Sequence, residues 1–196
     1  MLDIVLIRPG STDYDVQGRI QGSLDIPLNE QGLAEVVQTV EQLRGKAVAM
    51  EMIYAPATQP PLQTAAVIAK AFGIKLKKIE RLQNLHQGLW QGMLVEDVRH
   101  KQPKVYRQWQ EQPENVCPPE GEMLSAADDR VRTAVAKLLK RHKEGVIGLV
   151  LPEPLMSLAR RFITHGELGD LWKAPNGHGR VEVLTVEPDE VLAAAV

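Results

Sequence analysis

The sequence predicts an α/β domain, a three-layer α/β/α sandwich with a mostly parallel central sheet, and three observations predict it. Short apolar runs alternate with longer stretches of helical periodicity, the pattern of strand and crossover-helix units. The first run, Leu2–Ile7, is almost continuously apolar, as expected of a strand covered on both faces. The chain has 196 residues, 44% of them hydrophobic and 24% charged, enough for one domain with a sizeable core.

The elements follow in order. After the first strand the chain turns through Arg8, Pro9 and Gly10 into a long polar loop. Asn29 can cap a helix whose Leu33, Val36, Val37, Val40 and Leu43 follow helical spacing. A second strand ends at Tyr54. Thr58 then precedes a helix carrying Leu62, Ala65, Ala66, Ile68, Ala69 and Phe72, with Pro60 and Pro61 in its first turn, where a missing amide hydrogen costs little. Residues 75–122 read as a subdomain-like insertion over one end of the sheet. They hold an edge strand around 75–79, the loop LQNLHQGLWQGM, and short helical pieces broken by Pro103, Pro113, Pro118 and Pro119. Ser125 can cap a long helix with Val131, Val135, Leu138 and Leu139 on one face, ending near Gly145. A strand over 146–151 leads to a helix with Leu155, Leu158, Ala159 and Phe162, and Val181–Val186 reads as a last strand. With no internal repeat and no linker, residues 1–196 read as a single domain.

Composition excludes several function classes. A net charge of -2 argues against a nucleic-acid binder that relies on a broad basic footprint. The basic clusters KLKK and KLLKRHK are short, and the second falls at a helix end, where cations complement the macrodipole. Cys117 is the only cysteine, so neither an intramolecular disulfide nor a cysteine-rich metal site can form. The opening residues read as a core strand rather than a leader, and no apolar run approaches membrane-spanning length; a cytoplasmic protein without membrane contact is expected. His100, His142 and His178 show no metal-ligand spacing among themselves, and neither a metal nor another cofactor is expected.

Arg8, Gly10, Thr12, Arg19, Gln21, Gly22, Asp25, Pro27, Leu28 and Gly32 form an ordered set. It resembles the opening of the histidine phosphatase superfamily, the phosphoglycerate mutase-like proteins, whose members begin with a strand, Arg-His-Gly, and a loop with Gln-Gly and Asp-x-Pro-Leu. YAPATQPPLQTAAVIA resembles the strand and Gln-Thr-Ala helix of that family through Gln63, Thr64 and Ala65, and LQNLHQGLWQG its Gly-x-Trp-x-Gly loop through Gly88, Trp90 and Gly92. PPEGE and the strand and helix from Val146 also fit, so the resemblance covers essentially the whole chain. It implies a phosphoglycerate mutase-like fold and a phosphatase or mutase ancestry.

The resemblance also implies where the family's reactive groups would stand. The nucleophilic histidine falls on Pro9, the second arginine on Pro60, the acid on Asn84 and the second histidine on Pro152; of the arginines and histidines, Arg8 alone is kept. A proline in a peptide bond has no lone pair to attack phosphorus, and asparagine has no proton to deliver near neutral pH. The expectation is therefore a catalytically inactive member, a pseudoenzyme that binds a phosphorylated small molecule or a protein partner. Its candidate ligand-binding residues are Arg8, Asp15, Gln21, Asn84, His86 and Glu153. Asp15 and Glu153 bring negative charge to a former anion site. They are expected either to pair with Arg8 and close a neutral pocket, or to be loop residues, with Glu153 serving the next helix N-terminus. Two alternatives stand beside this. One is an active phosphomonoester phosphatase with rewired chemistry using His86. The other is an interaction protein working through an outer surface, as in a homodimer. His165 and Gly166, a second His-Gly pair, read as a surface loop within THGELGDLW.

Overall fold

The computed structural model describes residues 1–168 and 178–194. Five strands, β1 (Leu2–Ile7), β2 (Met52–Ala55), β3 (Lys75–Lys78), β4 (Gly145–Val150) and β5 (Val181–Val186), form one sheet in the order β3-β2-β4-β1-β5. β1 pairs with β4, β4 with β2 and β2 with β3 in parallel, whereas β5 runs antiparallel to β1 with Ile7 opposite Val181. Eight α-helices accompany the sheet among the described residues: α1 (Asp13–Val16), α2 (Glu30–Gly45), α3 (Pro61–Phe72), α4 (Val95–Lys101), α5 (Pro103–Glu111), α6 (Leu124–Arg141), α7 (Leu155–Thr164) and α8 (Pro188–Ala193).

Strand alternation explains the layers. In β1, Val5 and Ile7 face one side, where they meet Val36, Val40 and Leu43 of α2 and Ala65, Ile68 and Ala69 of α3. Leu2, Ile4 and Leu6 face the other, against Val131, Val135, Leu138 and Leu139 of α6 and Leu155, Leu158 and Phe162 of α7. Ile147 and Leu149 of β4 share this second core, while Val150 joins the first. Both faces are buried, so the continuous apolar run is accounted for, and each large side chain removed from water contributes about 1.5–3 kcal/mol.

Capping differs from the sequence reading in places. Asn29 does cap α2, its Oδ1 accepting from the Gly32 amide at 2.8 Å. Ser125 does not cap α6: the helix begins one residue earlier, at Leu124, with Met123 in the capping position and no side-chain cap bond. That helix stops at Arg141, short of Gly145, which instead opens β4. α3 begins at Pro61, leaving Pro60 just outside as the flanking residue.

A third apolar cluster lies beyond the sheet. Ile20, Trp90, Val98, Trp109 and Val116 pack together, with the rings of Trp90 and Trp109 edge to face, centroids 5.3 Å apart. This is where the chain between β3 and α6 folds on itself. Among the described residues no helix is long and apolar enough to cross a membrane.

Candidate active site

Parallel strands end on the same edge of a sheet, and ligands of open α/β sheets bind outside those carboxyl ends. A cavity of about 240 Å³ opens there. Arg8 and Pro9 follow β1, Pro152 and Glu153 follow β4, and Pro60 stands before α3; all five line it. Asp15, Arg19 and Gln21 reach it from the loop after β1, Asn84 and Gln87 from the loop after β3, and His178 from the approach to β5. The structure thus gathers every candidate position read from the sequence except His86.

The loop after β1 is held by its own side chains. Thr12 and Asp15 form a capping box over α1: Asp15 Oδ2 accepts from the Thr12 amide and hydroxyl, both at 2.7 Å, and Thr12 Oγ1 accepts from the Asp15 amide. Ser11 donates its amide and hydroxyl to the Glu35 carboxylate of α2 at 2.8 and 2.7 Å. Burial pushes the Glu35 carboxyl up, but the hydrogen bonds from Ser11 and Gln31 and the nearby His178 outweigh it and hold the group below its usual value. Gly10 and Gly32 let loop and helix touch: a Cβ on Gly32 would stand 2.0 Å from the Ser11 carbonyl oxygen. Gln21 and Asn84 serve the backbone here, Gln21 donating to the Leu24 carbonyl at 3.5 Å and Asn84 to the Gly22 carbonyl at 3.0 Å.

Arg8 is half-buried at the end of β1. Burial pulls its pKa below the ordinary arginine value, opposed by the carboxylates of Glu153 and then Asp15; guanidinium remains charged all the same. The cavity is present, and the two carboxylates that offset the burial of Arg8 also serve neighbouring backbone groups. Glu153 accepts from the amide and hydroxyl of Ser157 in the first turn of α7, at 3.2 and 2.8 Å, and Asp15 caps α1.

His86 stands outside this cavity. In the loop after β3 successive side chains alternate: Leu85 and Gln87 are buried and line the cavity, while His86 between them is exposed. It faces a neighbouring recess with Ser23, Glu122 and Arg130, and its Nδ1 accepts from the Gly88 amide at 3.2 Å. Arg130 in that recess is bonded to Glu122 at 2.7 and 2.9 Å and to the Arg81 carbonyl at 2.8 Å. His165 is exposed at the end of α7, away from the cavity, as expected; residues 169–172 of THGELGDLW lie outside the described residues.

The imidazole that does reach the cavity is His178, which sequence reasoning left aside. Its Nδ1 lies 3.3 Å from the Pro9 carbonyl oxygen and its Nε2 3.6 Å from Asp15 Oδ1. The Pro9 carbonyl and the Asp15 carboxylate both accept, so each ring nitrogen of His178 faces an acceptor. The backbone fixes this placement. The Arg8 amide donates to the Arg180 carbonyl at 2.9 Å, the Gly179 amide to the Pro9 carbonyl at 3.4 Å, and Thr39 Oγ1 to the Gly179 carbonyl at 3.1 Å. The signal that could have found His178 is strand order: once β5 pairs antiparallel with β1, residues just before Val181 must lie beside those just after Ile7. Among the described residues no group of His, Cys, Asp and Glu side chains could hold a metal ion.

Residues 4–195 match the model of the histidine phosphatase superfamily, branch 1. The chain belongs to that superfamily. It is 32% identical over 142 residues to phosphoserine phosphatase 1 of Hydrogenobacter thermophilus, a match spanning 72% of this chain and 66% of that relative. It is 31% identical over 175 residues to the metal-independent phosphoserine phosphatase of Arabidopsis thaliana, spanning 88% and 73%. Among solved structures, YhfR of Bacillus stearothermophilus matches with a TM-score of 0.80 at 26% identity, over 95% of this chain and 92% of that one.

These relatives overturn the expectation of an inactive superfamily member that works by binding alone. Two of them carry the name of a phosphatase. Pro9, Pro60, Asn84 and Pro152 take particular groups from the cavity, while Arg8, Arg19, His178 and two carboxylates line it.

Proposed function

We propose that this histidine phosphatase superfamily chain hydrolyses phosphate monoesters in the cavity between β1 and β4, with His178 rather than His86 as its imidazole. The observation that carries the proposal is the position of His178, held at Nδ1 by the Pro9 carbonyl, with Nε2 turned toward Asp15 in a cavity that Arg8 makes attractive to an anion. The names of the relatives support the reaction class.

The step that fits these residues is attack by water. The water oxygen bonds to phosphorus, the ester P–O bond breaks with its electron pair leaving on the alcohol oxygen, which takes a proton from solvent, and the water proton passes to His178 Nε2. The imidazolium so formed has a partner at each N–H, the Pro9 carbonyl and the Asp15 carboxylate. Arg8 and Arg19 offset the charge of the phosphate, and no phosphorylated protein intermediate is required.

The test is turnover of a generic phosphate monoester by highly purified protein beside Arg8→Ala, His178→Ala and His86→Ala. Expected are loss of activity in Arg8→Ala, a loss of about 10²- to 10⁴-fold in His178→Ala, and a change of no more than about twofold in His86→Ala. Absence of turnover in the wild type, or activity that survives His178→Ala and vanishes in His86→Ala, overturns the proposal.

A further inference from the structure

The two sides of the cavity differ in chemistry. The sheet side carries Arg8, Asp15, Glu153 and His178. The apolar part of the lining is Ile20, Leu85, Val95, Trp109, Val116 and Leu124, drawn from the loop after α1, from α4, α5 and the first residue of α6, and from the segments that lead into α4 and α6, with Arg19, Gln21 and Gln87 as its polar neighbours. Four of the six come from chain between the end of β3 and the start of α6 that also builds, or packs against, the tryptophan cluster, so the wall is backed by packed side chains. The cationic side and the apolar wall share one space of about 240 Å³, just below the range of drug-sized sites, which suits a phosphate bearing one or two rings.

From this division we infer that the esters hydrolysed here are those of apolar, aromatic alcohols, an inference that rests on the phosphatase reading and names its substrate class. An amino acid such as serine would turn an ammonium toward aliphatic side chains and Trp109, and Arg19, the guanidinium in this part of the lining, already donates to Gln17 and the Gly92 carbonyl. An aromatic ring instead exchanges water for that wall and can meet the Trp109 ring edge to face.

A second observation points the same way. Asn84, which with Gln87 is extended into the cavity by the chain after β3, has its amide engaged, donating to the Gly22 carbonyl and accepting from the Leu85 amide at 2.8 Å. It has no proton to give to a departing oxygen. A phenolic oxygen leaves as phenolate and takes its proton from solvent, while water supplies the new bond to phosphorus. An alkoxide such as that of serine needs a proton as it leaves. Ground-state fit and leaving-group chemistry therefore select the same class.

The experiment has two arms. In the first, kcat/KM is measured for 1-naphthyl phosphate and for O-phosphoserine with wild type and Val95→Asn, each checked for an unchanged thermal transition. The aryl ester is favoured by at least about tenfold in the wild type, and that ratio falls by about threefold or more in Val95→Asn. In the second, calorimetric titration compares benzylphosphonate with 2-amino-4-phosphonobutyrate, neither of which can be hydrolysed, and benzylphosphonate binds tighter by at least about fivefold. Equal or better use of phosphoserine overturns the inference while leaving the phosphatase reading in place. A benzylphosphonate preference without turnover of any ester defeats the phosphatase reading and upholds the apolar site. Failure of both phosphonates to bind defeats the inference outright.

Discussion

Two glycines on one helix should respond to alanine in opposite directions. Gly32 sits in the first turn of α2, and the added Cβ would stand 2.0 Å from the Ser11 carbonyl oxygen, 2.8 Å from its amide nitrogen and 2.9 Å from its carbonyl carbon. All three are backbone atoms, so no side chain can swing away. Reaching van der Waals separation requires the loop and helix to part by more than about 1 Å. That movement lengthens the Asn29 amide bond to the Ser11 carbonyl, now 3.1 Å, and both Ser11 bonds to Glu35. Overpacking of this kind costs about 1–3 kcal/mol and each weakened hydrogen bond about 1 kcal/mol more, against a helix-propensity gain of at most about 1 kcal/mol. The net expectation for Gly32→Ala is a loss of about 3–5 kcal/mol, or roughly 6–20 °C in melting temperature for a chain of this size, with a fall in kcat/KM because the displaced loop carries Asp15. Gly45, the last residue of the same helix, has open space where its Cβ would go, and Gly45→Ala should raise stability by a few tenths to about 1 kcal/mol. Differential scanning calorimetry of both variants decides the matter: a Gly32→Ala protein melting at or above the wild type would refute the close-contact reasoning.

Three further outcomes follow from neighbouring features. Glu35→Gln should cost about 1–2 kcal/mol near pH 7, after allowance for partial exposure. The folded carboxyl titrates below its usual 4.5, so this advantage of the wild type is present above that value and disappears as pH falls through the lower folded one; a difference in denaturation midpoint that stays constant down to about pH 3 would contradict the assignment. Asp128 of α6 pairs with Arg161 of α7 at 2.7 Å and with Arg132 at 2.8 Å, its side chain only 11% exposed, and Asp128→Ala should lose about 3–5 kcal/mol in urea unfolding; a loss under about 1 kcal/mol would show the pair to be solvated. Burial, reinforced by Arg141, holds the His142 imidazole below its usual pKa of 6.5 beside the Tyr54 hydroxyl at 2.8 Å. Its contribution is complete above that value and is lost as pH falls toward the folded one, so His142→Gln should flatten the stability profile between about pH 7 and 5, and an unchanged slope would argue against it.

The sheet and its main helices were readable because their signals are local. β1 is apolar throughout, α2 and α3 carry helical spacing, and Asn29 is a residue type that caps. The site was readable only where it hangs on those signals, at Arg8 and Pro9 after β1, at Pro152 and Glu153 after β4, and at Asn84 through the resemblance. His178 was not, because its position depends on β5 pairing with β1 across most of the chain, which no short pattern encodes. His86 stands outside the main cavity because it alternates with its neighbours Leu85 and Gln87, which line it, while Asn84 reaches both that cavity and the recess of His86. Ser125 misled because a good capping residue type does not cap when packing sets the helix start one residue earlier.

The location of β1 carries a consequence for biosynthesis. It is made first, yet both of its partners, β4 and β5, are made last, β4 beginning about 140 residues later. At cellular elongation rates the nascent chain exposes LDIVLI without either neighbour for on the order of 10 s or more. During that interval Arg8 and Pro9 have no His178 beside them, so the pocket cannot preorganise on the ribosome. It closes only as the final strand emerges and docks, making this pocket one of the last parts of the molecule to exist.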